Sequence, residues 1–145
     1  MASKREAGLA ALFLVIDAIS GPDAVRNGVV PTDVPAGGLI VQRDGEVGEP
    51  ESVTLSPLTY HYEHLAELEV YVKDDPATTR DGALDAILVA ISAAVAVDRT
   101  LSGAVDDCRV SAPLQLSEEA LEGTDDLKRC LVPVTLTYST TDPLN

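Results

Sequence analysis

Residues Thr59–Lys73 read TYHYEHLAELEVYVK, and their alternation is that of a strand. Counted by twos, Tyr60, Tyr62, His64, Ala66, Leu68, Val70 and Val72 share one side. His61, Glu63, Leu65, Glu67, Glu69, Tyr71 and Lys73 share the other. Successive side chains of a strand point to opposite faces of its sheet, so one face is apolar and the other largely acidic. At ~3.3 Å per residue the segment would reach roughly 45–50 Å, longer than most strands of a small domain. Such a strand is expected at the centre of an antiparallel sheet, or running beyond it as a ribbon. Its acidic face needs water, an ion or a charged partner, because a buried unpaired carboxylate is costly.

Helical patterns lie on either side. Ser3 and Glu6 have capping-box spacing. Leu9, Leu12, Phe13, Ile16 and Ile19 then recur at three and four before Gly21-Pro22, which predicts a helix from about Lys4 to Ser20. After the strand, Asp74-Asp75-Pro76 is turn chemistry and Thr78 or Thr79 can cap a second helix. Leu84, Ile87, Leu88, Ile91, Ala94 and Val95 give that helix an apolar stripe over Arg80–Val97, and its many alanines make it thin.

The remaining segments read as shorter pieces. Asp23–Pro35 is an irregular or edge segment, with a turn signal at Asn27-Gly28 and two prolines, Pro31 and Pro35, that deny ladder donors. Gly38–Asp44 is a short strand closed by the turn signal Asp44-Gly45. A protruding hairpin or loop is expected over about residues 43–57, with SVTL (Ser52–Leu55) as its one strand candidate. Ala104–Pro113 reads as a strand through Val105, Cys108 and Val110, and Leu114–Leu127 as an acidic loop with room for one helical turn. Lys128–Thr140 alternates as the last strand, and Pro133 marks an edge or bulge within it. The prediction is a single α+β domain over residues 1–145. Its antiparallel sheet has about four to five strands, with two main helices packed on one face.

Composition narrows the function. The chain has 145 residues, 46% of them apolar, and its only bulky aromatics are Phe13 and four tyrosines, so the core must be aliphatic. A net charge of −14 lacks the basic footprint of duplex nucleic-acid binding. No run of 18 apolar residues suggests a membrane span. The basic-then-apolar N-terminus is interrupted by Glu6 and Asp17 and lacks a clean cleavage site, so a soluble cytoplasmic chain is expected rather than a secreted one. Cys108 and Cys130 form no C-x-x-C pair and read as buried, reduced hydrophobes.

Motifs for chemistry are missing. His61 and His64 fall on opposite faces of the strand and cannot share a metal; His61 with Glu63 offers two ligands, too few for a site. There is no G-x-S-x-G elbow, and Gly37-Gly38 is not followed by G-K-S/T. The paired carboxylates (Asp74-Asp75, Asp106-Asp107, Glu118-Glu119, Asp125-Asp126) sit in polar loops or strand ends. No enzyme, cofactor or metal is expected.

Taken together, the chain resembles the tail terminator (tail completion) proteins of long-tailed phages and of gene transfer agents. The resemblance lies in VRNGVVPTDVPAGGLIVQRDGEVGEPE (Val25–Glu51), TLSPLTYHYEHLAELEVYV (Thr54–Val72), ALDAILVAISAAVAVDRTLSG (Ala83–Gly103) and VPVTLTYSTTDPL (Val132–Leu144). It covers most of the chain but rests on overall pattern, with Asp107-Cys108 standing where the family would place an aromatic after Val105-Asp106. The resemblance implies a virion protein of the tail or neck, assembled in the host cytoplasm. It would form a homo-oligomeric ring of six on the tail tube protein, stop tube growth, and join the head–tail connector (stopper) protein. DNA would pass through the lumen without specific binding, and no membrane partner is implied.

On that reading Glu63, Glu67 and Glu69 are lumen or inter-subunit residues, although ordinary solvated charge accounts for them equally well. Arg43, Asp44, Glu46, Glu49 and Glu51 are the expected contacts to tube or connector. Two alternatives stand beside it. One is a head-side stopper or adaptor of the same particle. The other is a small cytoplasmic enzyme holding an acyl or nucleotide ligand in a sheet–helix cleft.

Overall fold

The computed structural model describes residues 2–29, 33–73, 79–119 and 127–145, with only the backbone for 115–119. The elements in chain order are α1 (Lys4–Asp17), β1 (Asp23–Arg26), β2 (Leu39–Glu46), β3 (Ser52–Thr54), β4 (Thr59–Lys73), α2 (Arg80–Val97), β5 (Asp107–Val110), β6 (Leu114–Glu119) and β7 (Leu127–Thr140). All seven strands join one sheet in the order β1-β2-β4-β7-β5. Beside β4, β3 follows on from β2; beside β7, β6 follows on from β5. The sheet is therefore five ranks wide and antiparallel throughout except for β1 on β2. This is the expected α+β architecture, with both helices on one face.

The centre of the sheet is the β4–β7 ladder, unbroken from Tyr60 opposite Thr140 to Lys73 opposite Leu127. Both strands keep strict alternation. Tyr62, His64, Ala66, Leu68, Val70 and Val72 on β4 are buried, as are Cys130, Val132, Val134, Leu136 and Tyr138 on β7. Onto this face α1 packs Leu9, Leu12 and Ile16, and α2 packs Leu84, Ile87, Ile91 and Val95, forming one core. Gly8 of α1 lies so close to Val105 that a Cβ there would meet its Cγ1 at 2.8 Å. Cys108 and Cys130 are free and buried; they sit opposite Leu136 and Val70 respectively, too far apart along β7 to bond.

Several boundaries differ from expectation for physical reasons. The first helix stops at Asp17 rather than Ser20, and its Glu6 does not complete the capping box. Ser3 accepts the Glu6 N–H at 3.1 Å, but the Glu6 carboxylate turns away to Arg26. Asp44-Gly45 is not a turn. It is a bulge inside β2, where the register shifts between Arg43 and Glu46; Gly45 has φ +66°, and a Cβ there would lie 2.3 Å from the Leu65 carbonyl oxygen. The strand expected from Ala104 begins only at Asp107, because Leu101–Gly103 adopt positive φ in a turn held by Asp98. The acidic segment from Leu114 is a strand, not a loop or helical turn, and its Glu118 lies opposite Lys128 of β7. Residues 120–126, the Asp74-Asp75-Pro76 turn, Pro31 and Thr78 lie outside the described residues; Thr79 caps α2 through the Gly82 N–H at 3.2 Å.

Pro133 occupies a place in β7 that tolerates it. The Pro133 carbonyl accepts from Ser111, so the side of the chain lacking a donor faces the break between β5 and β6.

Because Leu68 is fully buried in the middle of β4, Leu68→Ala should lower the unfolding free energy by about 2–5 kcal/mol. Val89→Ala, on the exposed side of α2, should change it by under about 0.5 kcal/mol. Urea titration of both variants checks the difference.

Candidate interaction surface

The second face of the sheet carries Glu63, Glu67, Glu69 and Arg43, and among the described residues it is covered at one end. There Val34 folds over Leu39, Val41, Tyr71 and Leu127 to make a small apolar cluster. Burial on this face falls along β4 from Tyr71 to Leu65 and no further beyond it. Tyr71 is 4% exposed, the Glu69 side chain 12%, Leu65 49%, and the Glu63 side chain 46%. The half from Glu67 to Glu63, flanked by Leu131, Pro133, Thr135 and Thr137 of β7, is the open part of the face.

The three glutamates of this face have different surroundings. Glu69 is held inside the chain: the Tyr71 hydroxyl donates to it at 2.8 Å, while Arg43 and Arg129 approach one of its oxygens at 3.5 and 3.6 Å. Arg129 also lies over the Tyr71 ring, 5.9 Å from its centroid. Burial, reinforced by Glu69, pushes the Tyr71 hydroxyl up to about 12. Glu63 is in the open and meets Arg109 of β5 at 3.4 Å. Glu67 lies opposite Arg43 and Pro133, half-buried, with no side-chain hydrogen bond or ion pair among the described residues.

The five residues expected at the protruding hairpin also divide. Arg43 and Asp44 belong to β2, inside the body of the sheet. Besides Glu69, Arg43 donates to the Gly28 carbonyl. Asp44 is the centre of a network absent from the sequence reading. Arg26 donates to it through Nε at 3.0 Å and Nη2 at 2.9 Å, Asn27 through Nδ2 at 2.8 Å, and Gln42 at 3.4 Å. The same Arg26 grips Glu6 of α1 with two bonds at 2.8 and 2.9 Å, tying the helix to the sheet edge. Glu46, Glu49 and Glu51, by contrast, are exposed. The hairpin proper is β3 with the start of β4; its apolar tip shows Val53, Leu55 and Leu58 at 45%, 78% and 45% exposure.

The two histidines sit in different settings. His61 shares a hydrogen bond with the Thr54 hydroxyl at 3.1 Å. His64 is 1% exposed, and its Nε2 faces the Asp44 carbonyl, which makes Nε2 the donor. Its Nδ1, like Gln42 Oε1, has no hydrogen-bond partner among the described residues. The described residues contain no group of three or more His, Cys, Asp or Glu side chains able to hold a metal, and no helix long and apolar enough to cross a membrane.

The Arg26 partners could not be found by pattern, because both lie far from it in sequence: Asp44 meets it through the parallel β1–β2 pairing, and Glu6 through the packing of α1 on β1. Arg109 and Arg129, the cations facing Glu63 and Glu69, are likewise brought there by cross-strand register. No family model matches the chain, and no curated protein matches it.

The network makes stability acid-sensitive. Arg26 holds the Glu6 carboxyl below its ordinary range. For Asp44, burial raises the pKa, but the hydrogen bonds from Arg26 and Asn27 outweigh it and the net shift is down. Groups depressed in the fold stabilise it above their unfolded pKa and lose that contribution as pH falls through the folded value. Denaturant midpoints should therefore drop as pH falls below about 4. Arg26→Met should flatten that decline and lower the midpoint at neutral pH.

Proposed function

We propose that this chain is a structural ring protein of a phage-type tail. It caps the completed tail tube, stops its growth and joins the tail to the head connector. The observation that carries the reading is the two-sided sheet. Helices pack on one face, while the other is open, among the described residues, over the half that bears Glu63, Leu65 and Glu67. An antiparallel sheet can leave one face to water, and this half is free to meet a second surface or a water-filled channel. The resemblance of Val25–Glu51, Thr54–Val72, Ala83–Gly103 and Val132–Leu144 to tail terminators supports a ring of six.

In such a ring the open half of the face lies toward the lumen or the neighbouring subunit. Glu63 and Glu67, within a chain of net charge −14, disfavour adhesion of passing DNA phosphate. Glu69 does not serve there directly; through Arg43, Arg129 and Tyr71 it fixes the covered end of the face. Of the residues expected at the contact to tube or connector, Arg43 and Asp44 are committed within the chain, which leaves Glu46, Glu49 and Glu51 available to a neighbour.

Adding the purified protein to polymerising tail-tube subunits tests the reading. Tubes that carry a cap at one end and stop lengthening are the expected result, seen by electron microscopy. Tubes that grow to the same length with and without the protein would overturn it.

A further inference from the structure

A groove runs along the lateral edge of the sheet, between α2 and β5. Two adjoining pockets of about 280 and 260 Å³ share Ser92 and Val110 and make it continuous. Its walls are apolar: Leu88, Ile91 and Val95 on the helix side, Pro113 and Val132 on the other. At one end it meets Arg99 and Arg109, whose side chains are 54% and 49% exposed although both contact Asp107 and Arg109 also meets Glu63. β5 is the last rank of the sheet. Since Ser111 N–H points inward to Pro133, the adjacent Val110 N–H points outward, toward any extended segment laid along the edge.

The opposite lateral side of the sheet carries an exposed apolar projection. β3 lies on the β2 side of β4, so the β3–β4 hairpin stands away from β5. Its tip is apolar through Val53, Leu55 and Leu58, and Glu49 and Glu51 flank it, exposed. An apolar tip with acidic flanks complements an apolar groove with an arginine end.

We propose that the β3–β4 hairpin of one copy of this chain docks in the α2–β5 groove of the next copy. The two surfaces lie on opposite sides of one protomer, so the contact is heterologous, the type that closes into a ring when the rotation fits. Burial of Val53, Leu55 and Leu58 would supply the apolar core of the contact, and Glu49 and Glu51 would meet Arg99 and Arg109 at its rim. This deepens the ring reading and rests on it: the neighbour of Glu49 and Glu51 becomes the adjacent ring subunit rather than the tube or connector.

The test mixes two single variants, Leu55→Cys and Ser92→Cys, distinguished by a tag, under mild oxidation, alone and with assembled tubes. Both positions are exposed, so the fold is kept, and reaction of each new thiol with a reagent confirms access. Both variants are made in a Cys108→Ala background, because Cys108, although buried, lines the groove; Cys130 is buried and does not line it. The mixed disulfide should form several-fold in excess over either homodisulfide. A statistical mixture, or homodisulfides alone, would overturn the proposal. Tubes capped without mixed disulfide would leave the ring standing and remove this contact. Mixed disulfide with uncapped tubes would keep the contact and remove the tail reading.

Discussion

The β4–β7 ladder is the constraint on which the rest depends. Two long strands paired without a bulge put every second side chain into the core over their full length, so a slip of one residue would turn the whole apolar set outward. Both helices are then placed by the same demand, since only one face of these strands is apolar enough to need cover. The shorter strands are accommodated around the pair, and β2 must bulge at Gly45 to remain beside β4.

The ladder also determines what is left over. By using one face for the core, it brings Glu63, Glu67 and Glu69 into line on the other, where burial depends on distance from Val34. Charge is handled differently along that line. Near Val34, Glu69 is surrounded by Arg43, Arg129 and Tyr71, as a half-buried carboxylate must be. Toward the hairpin, exposed Glu63 has an ion pair with Arg109 of the modest worth usual for a solvated surface. A surface graded from fixed to open in this way is suited to assembly with other chains, and the resemblance to tail terminators gives that assembly its proposed form.

Much of this fold was legible because period and capping are local. The alternation in Thr59–Lys73 placed β4 residue by residue, and Thr79 with the stripe from Leu84 to Val95 placed α2. What escaped was set by partners distant in sequence. Asp44-Gly45 has the composition of a turn, but continued pairing with β4 makes it a bulge; the segment from Leu114 looks like an acidic loop, but its backbone pairs with β7. Likewise, Arg43 and Asp44 carry no mark in the sequence that separates them from the exposed glutamates after them. Only the approach of Arg26, Asn27 and Glu69 does so.

As proposed, this chain works as a closed oligomer formed through surfaces its own fold leaves open. Its native mass, measured by sedimentation for the purified protein alone and on assembled tail tubes, tests that claim most directly. A single closed species of six copies, in solution or at the tube end, is the predicted result. A chain that stays monomeric in solution and does not bind tubes would contradict it.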